Sequence, residues 1–485
     1  MGRDTGGNLA LSPCAPTDPD LAVEGDVINS GDTAWVLASA ALVMLMTPGL
    51  AFFYGGMVRS RSVLNMLMMN FMCLAVVSVL WVLYGYSEAF GTSANSLNLF
   101  GDLEHAGMAS VIGNTITSAP GHTIPMFAYV MFQLMFAVIT PALISGAIAD
   151  RARFWGWTVF VALWVTIVYF PVAHWVFAFD GYANAVTGGP AAGGWIANTL
   201  KAEDFAGGTA VHINAGAAAL ALCLVLGRRR GWPRSSSRPH NVPFILLGAS
   251  LLWFGWYGFN AGSALSATDT AGLAFTNTTA ATAIAVIAWL IVEQVRDGKP
   301  TTFGAASGAV AGLVAITPAC AYVNTMGALV VGLFAGALCA MAVGLKFRFG
   351  FDDSLDVVGV HLVGGIIGTL LIGFFGTSST GTTGAADGLF YGGGASQLWR
   401  QAVAAGSVLV YSFVIALILG FLINKTIGFR VSEEEESAGI DEAEHAETGY
   451  DFTGLFAGGG ALEQAIGHPP QQAAPPAGAP TGQEG

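Results

Sequence analysis

The sequence predicts an all-α polytopic membrane protein: eleven transmembrane helices, arranged as two inverted five-helix repeats plus one extra helix. Three observations lead there. Hydrophobic residues make up 54% of the 485 residues and charged residues 10%, against about 25% charged in an ordinary soluble domain. Eleven apolar runs approach the ~20 residues that a helix needs to cross a bilayer. The basic residues alternate between successive loops, as they do when a chain crosses a membrane repeatedly.

The elements follow in order. Residues 1–32 read as an extracellular N-terminal arm with no apolar stretch long enough for a cleavable signal, so the first helix serves as its own insertion signal. Cys14 in this arm reads as an unpaired thiol. Spans are predicted at 33–57, 64–88, 124–148, 155–179, 206–226, 242–262, 272–294, 303–319, 325–345, 355–375 and 402–424. The third carries Phe132 followed by Gln133, and the fourth ends in AHWVFAF with Trp175 and Phe177. The fifth follows Asp204 and carries His212. The sixth carries WFGWYGFNAGS with Trp256, Phe259 and Ser263, and the tenth carries His361. The eighth is short and rich in Gly and Ala. The 65 glycines let helix backbones approach closely. Cys73, Cys223 and Cys339 fall inside apolar runs as small packing residues, and the five cysteines give no disulfide framework.

With the N-terminus outside, 15 of the 18 basic residues fall on cytoplasmic loops or the tail, and only Arg3, Lys201 and Arg400 lie outside. One helix more or fewer would scramble that pattern. Five crossings reverse the chain, so a repeated five-helix block must be inverted. DFAGGTAVHINAG and DVVGVHLVGG each set an Asp ahead of a His followed by small residues, as an inverted repeat would. Residues 33–425 thus form the eleven-helix domain. Residues 426–451 form a charged cytoplasmic regulatory segment, and 452–485 form a disordered Pro/Ala/Gly-rich tail. The net charge of −13 is largely local, because eleven of the 31 acids lie after residue 430. No basic face suggests nucleic acid.

His212 and His361 are the main candidates for chemistry. A charge deep in an apolar helix costs about 2.5–3.5 kcal/mol even on the lenient insertion scale. One such ring can be a neutral imidazole bonding a neighbouring helix. Two at matching places suggest a path along which a proton or polar guest is handed between neutral rings. Asp204 reads as an N-cap, a fixed negative charge beneath a cation site, or both. Asp356 stands in the corresponding place before His361. Phe132, Trp256, Phe259, Trp175 and Phe177 read as packing, as an interfacial aromatic belt, or as a cation–π vestibule above stacked rings. There is no nucleophile motif and no metal-ligand cluster, so neither enzyme nor cofactor is implied.

MTPGLAFFYGGMVRSRSVLNM, DFAGGTAVHINAG, GWYGFNAGS, ITPACAYV and DVVGVHLVGGIIG resemble the signature segments of the ammonium transporter family (Amt/Mep/Rh), on its Amt side. The resemblance spans residues 33 to 451 and includes the tail pattern GFRVSEEEE, GID, EHAE and GY. It implies a homotrimer in the cell membrane with one pore per subunit, and ammonium, ammonia and the analogue methylammonium as guests. Carried over by position, Phe132 and Phe259 resemble the stacked gate rings. Ser263 resembles the hydroxyl of the outer cation site, Trp256 the indole below it, Asp204 the buried acid, and His212 and His361 the twin pore histidines. Phe177 falls where the family usually has tryptophan, so Phe177 or Trp175 serves the outer site.

The function expected is ammonium recruitment at an outer aromatic and Ser263 site, deprotonation, and passage along the histidines. Two other readings stand beside it. One is an ammonium sensor acting through a PII-type cytoplasmic signal protein, and the other is a Rh-like neutral gas channel, which Asp204, Ser263 and the aromatics disfavour.

Overall fold

The computed structural model describes residues 27–180, 192–233 and 238–450. Most of the N-terminal arm, part of the loop after the fourth span, and the Pro/Ala/Gly-rich tail lie outside the described residues.

Eleven helices carry the membrane domain. They are α1 (Ser30–Met57), α2 (Val63–Phe90), α3 (Met126–Ile148), α4 (Phe154–Phe177), α5 (Gly208–Leu226), α6 (Val242–Gly262), α7 (Asp269–Asp297), α8 (Thr302–Ile316), α9 (Thr325–Phe349), α10 (Val358–Phe375) and α11 (Ser396–Thr426). Between α2 and α3 runs an antiparallel hairpin, β1 (Thr115–Ala119) and β2 (His122–Pro125). Ten of the helices are long and apolar enough to cross a membrane.

The eighth is the shortest for a physical reason. From Ala306 to Ile316 α8 is buried on every side, so it meets protein rather than lipid. Pro318 has no N–H to continue the ladder. The Pro318 carbonyl is taken instead by the Phe205 N–H, 3.1 Å away, just ahead of α5.

Helix α1 packs along α6, the first helix of each five-helix block, and the starts of α5 and α10, the last of each, touch at the centre. The α1–α6 contact needs small residues. A Cβ on Gly248 would fall on the backbone of Phe53, and one on Gly255 would strike Met46 and the Leu42 carbonyl. α11 lies against α5 and α10. Large exposed side chains such as Phe71, Leu83, Phe254, Ile291 and Phe421 cover the outside, where apolar surface meets lipid tails.

The segment after α11 is ordered against one end of the bundle. Arg430 bridges Ala152 as an isolated β pair. Helices α12 (Glu433–Ala438) and α13 (Ile440–His445) follow, the first opened by a capping box between Ser432 and Glu435. Glu436 accepts from the Arg230 N–H at 2.7 Å and from Arg430 at 2.9 Å. Asp441 caps α2 from a distance in sequence, accepting the N–H groups of Leu64 at 3.0 Å and Asn65 at 2.8 Å.

Candidate functional site

Both pore-candidate histidines lie where the helix departs from regular α geometry. Each of the two helices opens with a π-helical turn, Gly208–Ile213 before the α-helical part of α5 and Val358–Leu362 before that of α10. Such turns break the usual ladder and tend to occur at functional sites. His212 and His361 sit one in each turn, both buried.

An aspartate organises each turn. Asp204 Oδ1 accepts the N–H groups of Gly207 and Gly208 at 2.7 Å. Its Oδ2 accepts the Thr209 N–H at 2.7 Å, the Ala210 N–H at 3.3 Å and the Thr209 hydroxyl. Burial raises its pKa above the ordinary carboxyl value, and the donors on Thr209, Gly207 and Gly208 act the other way. The second turn is capped by Asp353, not Asp356. Asp353 is buried and accepts the N–H groups of Val357 at 3.1 Å and Val358 at 2.7 Å. It stands eight residues before His361, the spacing that separates Asp204 from His212. Asp356 turns away to Lys346 at 2.6 Å, so the sequence alignment of Asp356 with Asp204 is corrected.

The two imidazoles share one hydrogen bond. Their Nδ1 atoms are 3.3 Å apart and the ring centroids 5.4 Å apart. Between two neutral rings only one Nδ1 carries the proton and the other accepts it, so the pair holds opposite tautomers. His212 Nε2 is buried and has no protein partner. The Trp256 ring stacks on His212 at 5.5 Å and 17°, held by its Nε1–H to the Thr317 hydroxyl at 2.8 Å. The two histidines and Trp256 wall a void of about 10 Å³, room for one water-sized molecule, otherwise lined by Phe259, Met46, Leu50, Ile139, Leu143, Val211, Leu252 and Val310.

A second void of about 40 Å³ is more polar, with Ser263 and Gln133 on its wall beside Phe136, Phe177 and Phe205. The Ser263 hydroxyl donates to the Phe259 carbonyl at 2.8 Å, which leaves its oxygen lone pairs as acceptors. Phe177 meets Phe136 edge-on at 6.3 Å. Trp175 is not brought to either void. Its Nε1–H bonds the Leu99 carbonyl at 2.7 Å, and its ring packs on Tyr411 of α11 at 4.9 Å.

Between the voids lie two stacked rings, and here a second sequence expectation is corrected. The stack is Phe136 on Phe259, centroids 4.2 Å apart and 27° from parallel, not Phe132 on Phe259. Phe132 is fully buried, meets Phe136 edge-on at 5.0 Å, and backs onto Gly262, where a Cβ would come within 2.8 Å of its ring.

The site residues that sequence reasoning missed carry signals after the fact. Phe136 follows Phe132 by four residues, hence on the same helix face. Asp353 repeats the eight-residue spacing. Phe205 and Gln133 adjoin residues already singled out.

A family model described as Ammonium Transporter Family matches residues 34–450. An ammonium transporter of Mycobacterium tuberculosis is 61% identical over 443 residues, covering 88% of this chain and 91% of its own. One of Bacillus subtilis is 45% identical over 427 residues, covering 87% and 99%. Among solved structures, Saccharomyces cerevisiae Mep2 superposes with a TM-score of 0.74 at 33% identity, covering 84% of this chain and 91% of that one. A structure described as Sensor Amt Protein superposes with a TM-score of 0.76 at 29% identity, covering 86% and 98%.

Proposed function

The chain belongs to the ammonium transporter family, and from that premise we propose that it carries ammonium across the cell membrane through a pore within each subunit. The observation that carries this reading is the buried histidine pair, with His212 Nε2 unpartnered at the wall of an apolar void. A buried polar atom without a partner is costly, and a small polar guest would satisfy it.

Ammonium enters the polar void and gives up part of its hydration. The Ser263 oxygen accepts one N–H, and the faces of Phe177 and Phe136 stabilise the remaining charge. Asp204 supplies negative field from behind, while its carboxylate keeps the His212 turn in place. Beyond Phe136 and Phe259 the walls are apolar, so a bare cation would lose its solvation without compensation. Ammonium escapes that cost by handing a proton to the buried histidine pair, which relays it while neutral ammonia passes along His212 and His361, so that net ammonium crosses. Trp256 holds the His212 ring in plane. Potassium has no proton to release and is excluded on energetic grounds rather than by size.

On this reading the N-terminus lies outside, the polar void opens outward, and the segment 426–451 lies at the cytoplasmic face. The subunits associate as a homotrimer, as the resemblance implies. The docked α12 and α13 support a regulatory role, with a PII-type signal protein as the partner that would read them.

The test is transport by purified protein in proteoliposomes. An inward ammonium gradient should drive saturable uptake, shared by methylammonium and absent for potassium. Uptake no greater than in empty liposomes, or equal passage of potassium, would contradict the proposal.

A further inference from the structure

Asp32 is a buried carboxylate that the pathway does not touch. It sits in the first turn of α1, 3% exposed, with its own N–H on the N-cap Asn29 at 3.0 Å. Its two oxygens reach in different directions. Oδ1 accepts the Ala267 N–H at 2.7 Å, and Oδ2 accepts from His122 Nδ1 at 2.8 Å.

Each of those partners belongs to a wall of the polar void. Ala267 closes the turn that leaves α6, and that turn carries Ser263 and Leu265, both lining the void. Leu265 adopts a left-handed backbone, φ +54°, which a leucine rarely takes unless held. Three residues after Asp32, Trp35 donates its Nε1–H to the Ala261 carbonyl at 3.2 Å, so α1 grips this turn at both ends. His122 belongs to β2, which runs directly into α3. On α3 the void-lining Tyr129, Gln133 and Phe136 follow at helical spacing.

We propose that Asp32 is a positioning residue for recruitment: by holding the Ala267 N–H and His122 together, it sets the separation between the Ser263 turn and the α3 wall. A buried carboxylate with two donors from different elements fixes both through charge-assisted bonds, stronger than neutral ones. A hydroxyl displaced by ~1 Å no longer meets a desolvated cation at bonding distance, so the loss falls on binding rather than on passage. The inference rests on the transport reading above, because it names what holds the recruitment site of that pathway.

The test compares methylammonium uptake by wild type, Asp32→Ala, Asp32→Asn and His122→Ala in proteoliposomes, with reconstituted protein quantified in each. Asp32→Ala should raise KM about fivefold or more with the maximal rate per transporter within about twofold. Asp32→Asn, which keeps an oxygen for the Ala267 N–H, should recover part of the loss. His122→Ala, at a partly buried position, frees one wall and should raise KM less than Asp32→Ala; it also serves where Asp32→Ala does not fold. A KM within about twofold of wild type in both alanine variants would overturn the inference, as would a fall in maximal rate at constant KM. Absence of saturable uptake in wild type would overturn the transport reading instead.

Discussion

Phe136 and Phe259 lie face to face, ring centroids 4.2 Å apart, and each walls a different void: Phe136 the one that holds Ser263, Phe259 the one that holds the histidines. On the transport reading proposed above, this stack is the barrier that an ion must lose its water to pass. Phe136→Ala should join the voids and admit water, so potassium should begin to compete with ammonium for current. Phe132→Ala leaves the stack intact and should keep selectivity. Currents in proteoliposomes with mixed salts check this; equal selectivity in both variants would place the barrier elsewhere.

Phe177 stands on the wall of the polar void, whereas Trp175 faces α11. Indole is a better cation–π partner than a phenyl ring. Phe177→Trp should therefore lower the KM for methylammonium, by about two- to tenfold, and Trp175→Phe should leave it unchanged. Uptake kinetics of the two variants decide the point.

Asp441 joins the tail to α2 by accepting two N–H groups at its start. Loss of such a cap costs about 0.5–2 kcal/mol. Asp441→Ala should raise the rate of protease cleavage within α12 and α13 by about 2- to 30-fold, and ammonium flux will report whether the docked tail governs the pore.

Glu203 is buried beside Asp204. Its Oε1 accepts the Ala386 N–H at 2.6 Å, and Oε2 has no partner. Burial pushes its carboxyl up to about 8, against the opposing pull of the Ala386 N–H and Arg400. The folded state then keeps a proton that the unfolded chain releases near pH 4.5, so stability falls as pH rises from there to about 8. Glu203→Gln cannot ionise. Its stability relative to wild type should rise between pH 5 and pH 8 by on the order of a few kcal/mol, seen as a rise in relative melting temperature. A pH-independent difference in thermal melts would contradict this.

The helices were legible because lipid offers no hydrogen bonds, so every span must declare itself as an apolar run. The buried ends of α5 and α10 were legible through their histidines, since an ionisable ring at depth needs a reason. The finer choices were not. Phe132 and Phe136 lie one helical turn apart, and only packing reveals which ring meets Phe259. The run DDSLD offers Asp352, Asp353 and Asp356 within five positions. The backbone selects Asp353 by aiming the Val357 and Val358 N–H groups at it, while Lys346 draws Asp356 away. Trp175 and Phe177 are two residues apart, which on a helix sends them to nearly opposite sides. The π-helical turns that carry the histidines have no counterpart in apolar periodicity.

The central claim is that the guest passes along His212 and His361. The most direct measurement is ammonium-evoked current in proteoliposomes, with His212→Ala and His361→Ala beside wild type at matched protein density. The account predicts that each substitution abolishes ammonium-specific current or opens the pore to potassium. Unchanged, ammonium-selective flux in both variants would contradict it.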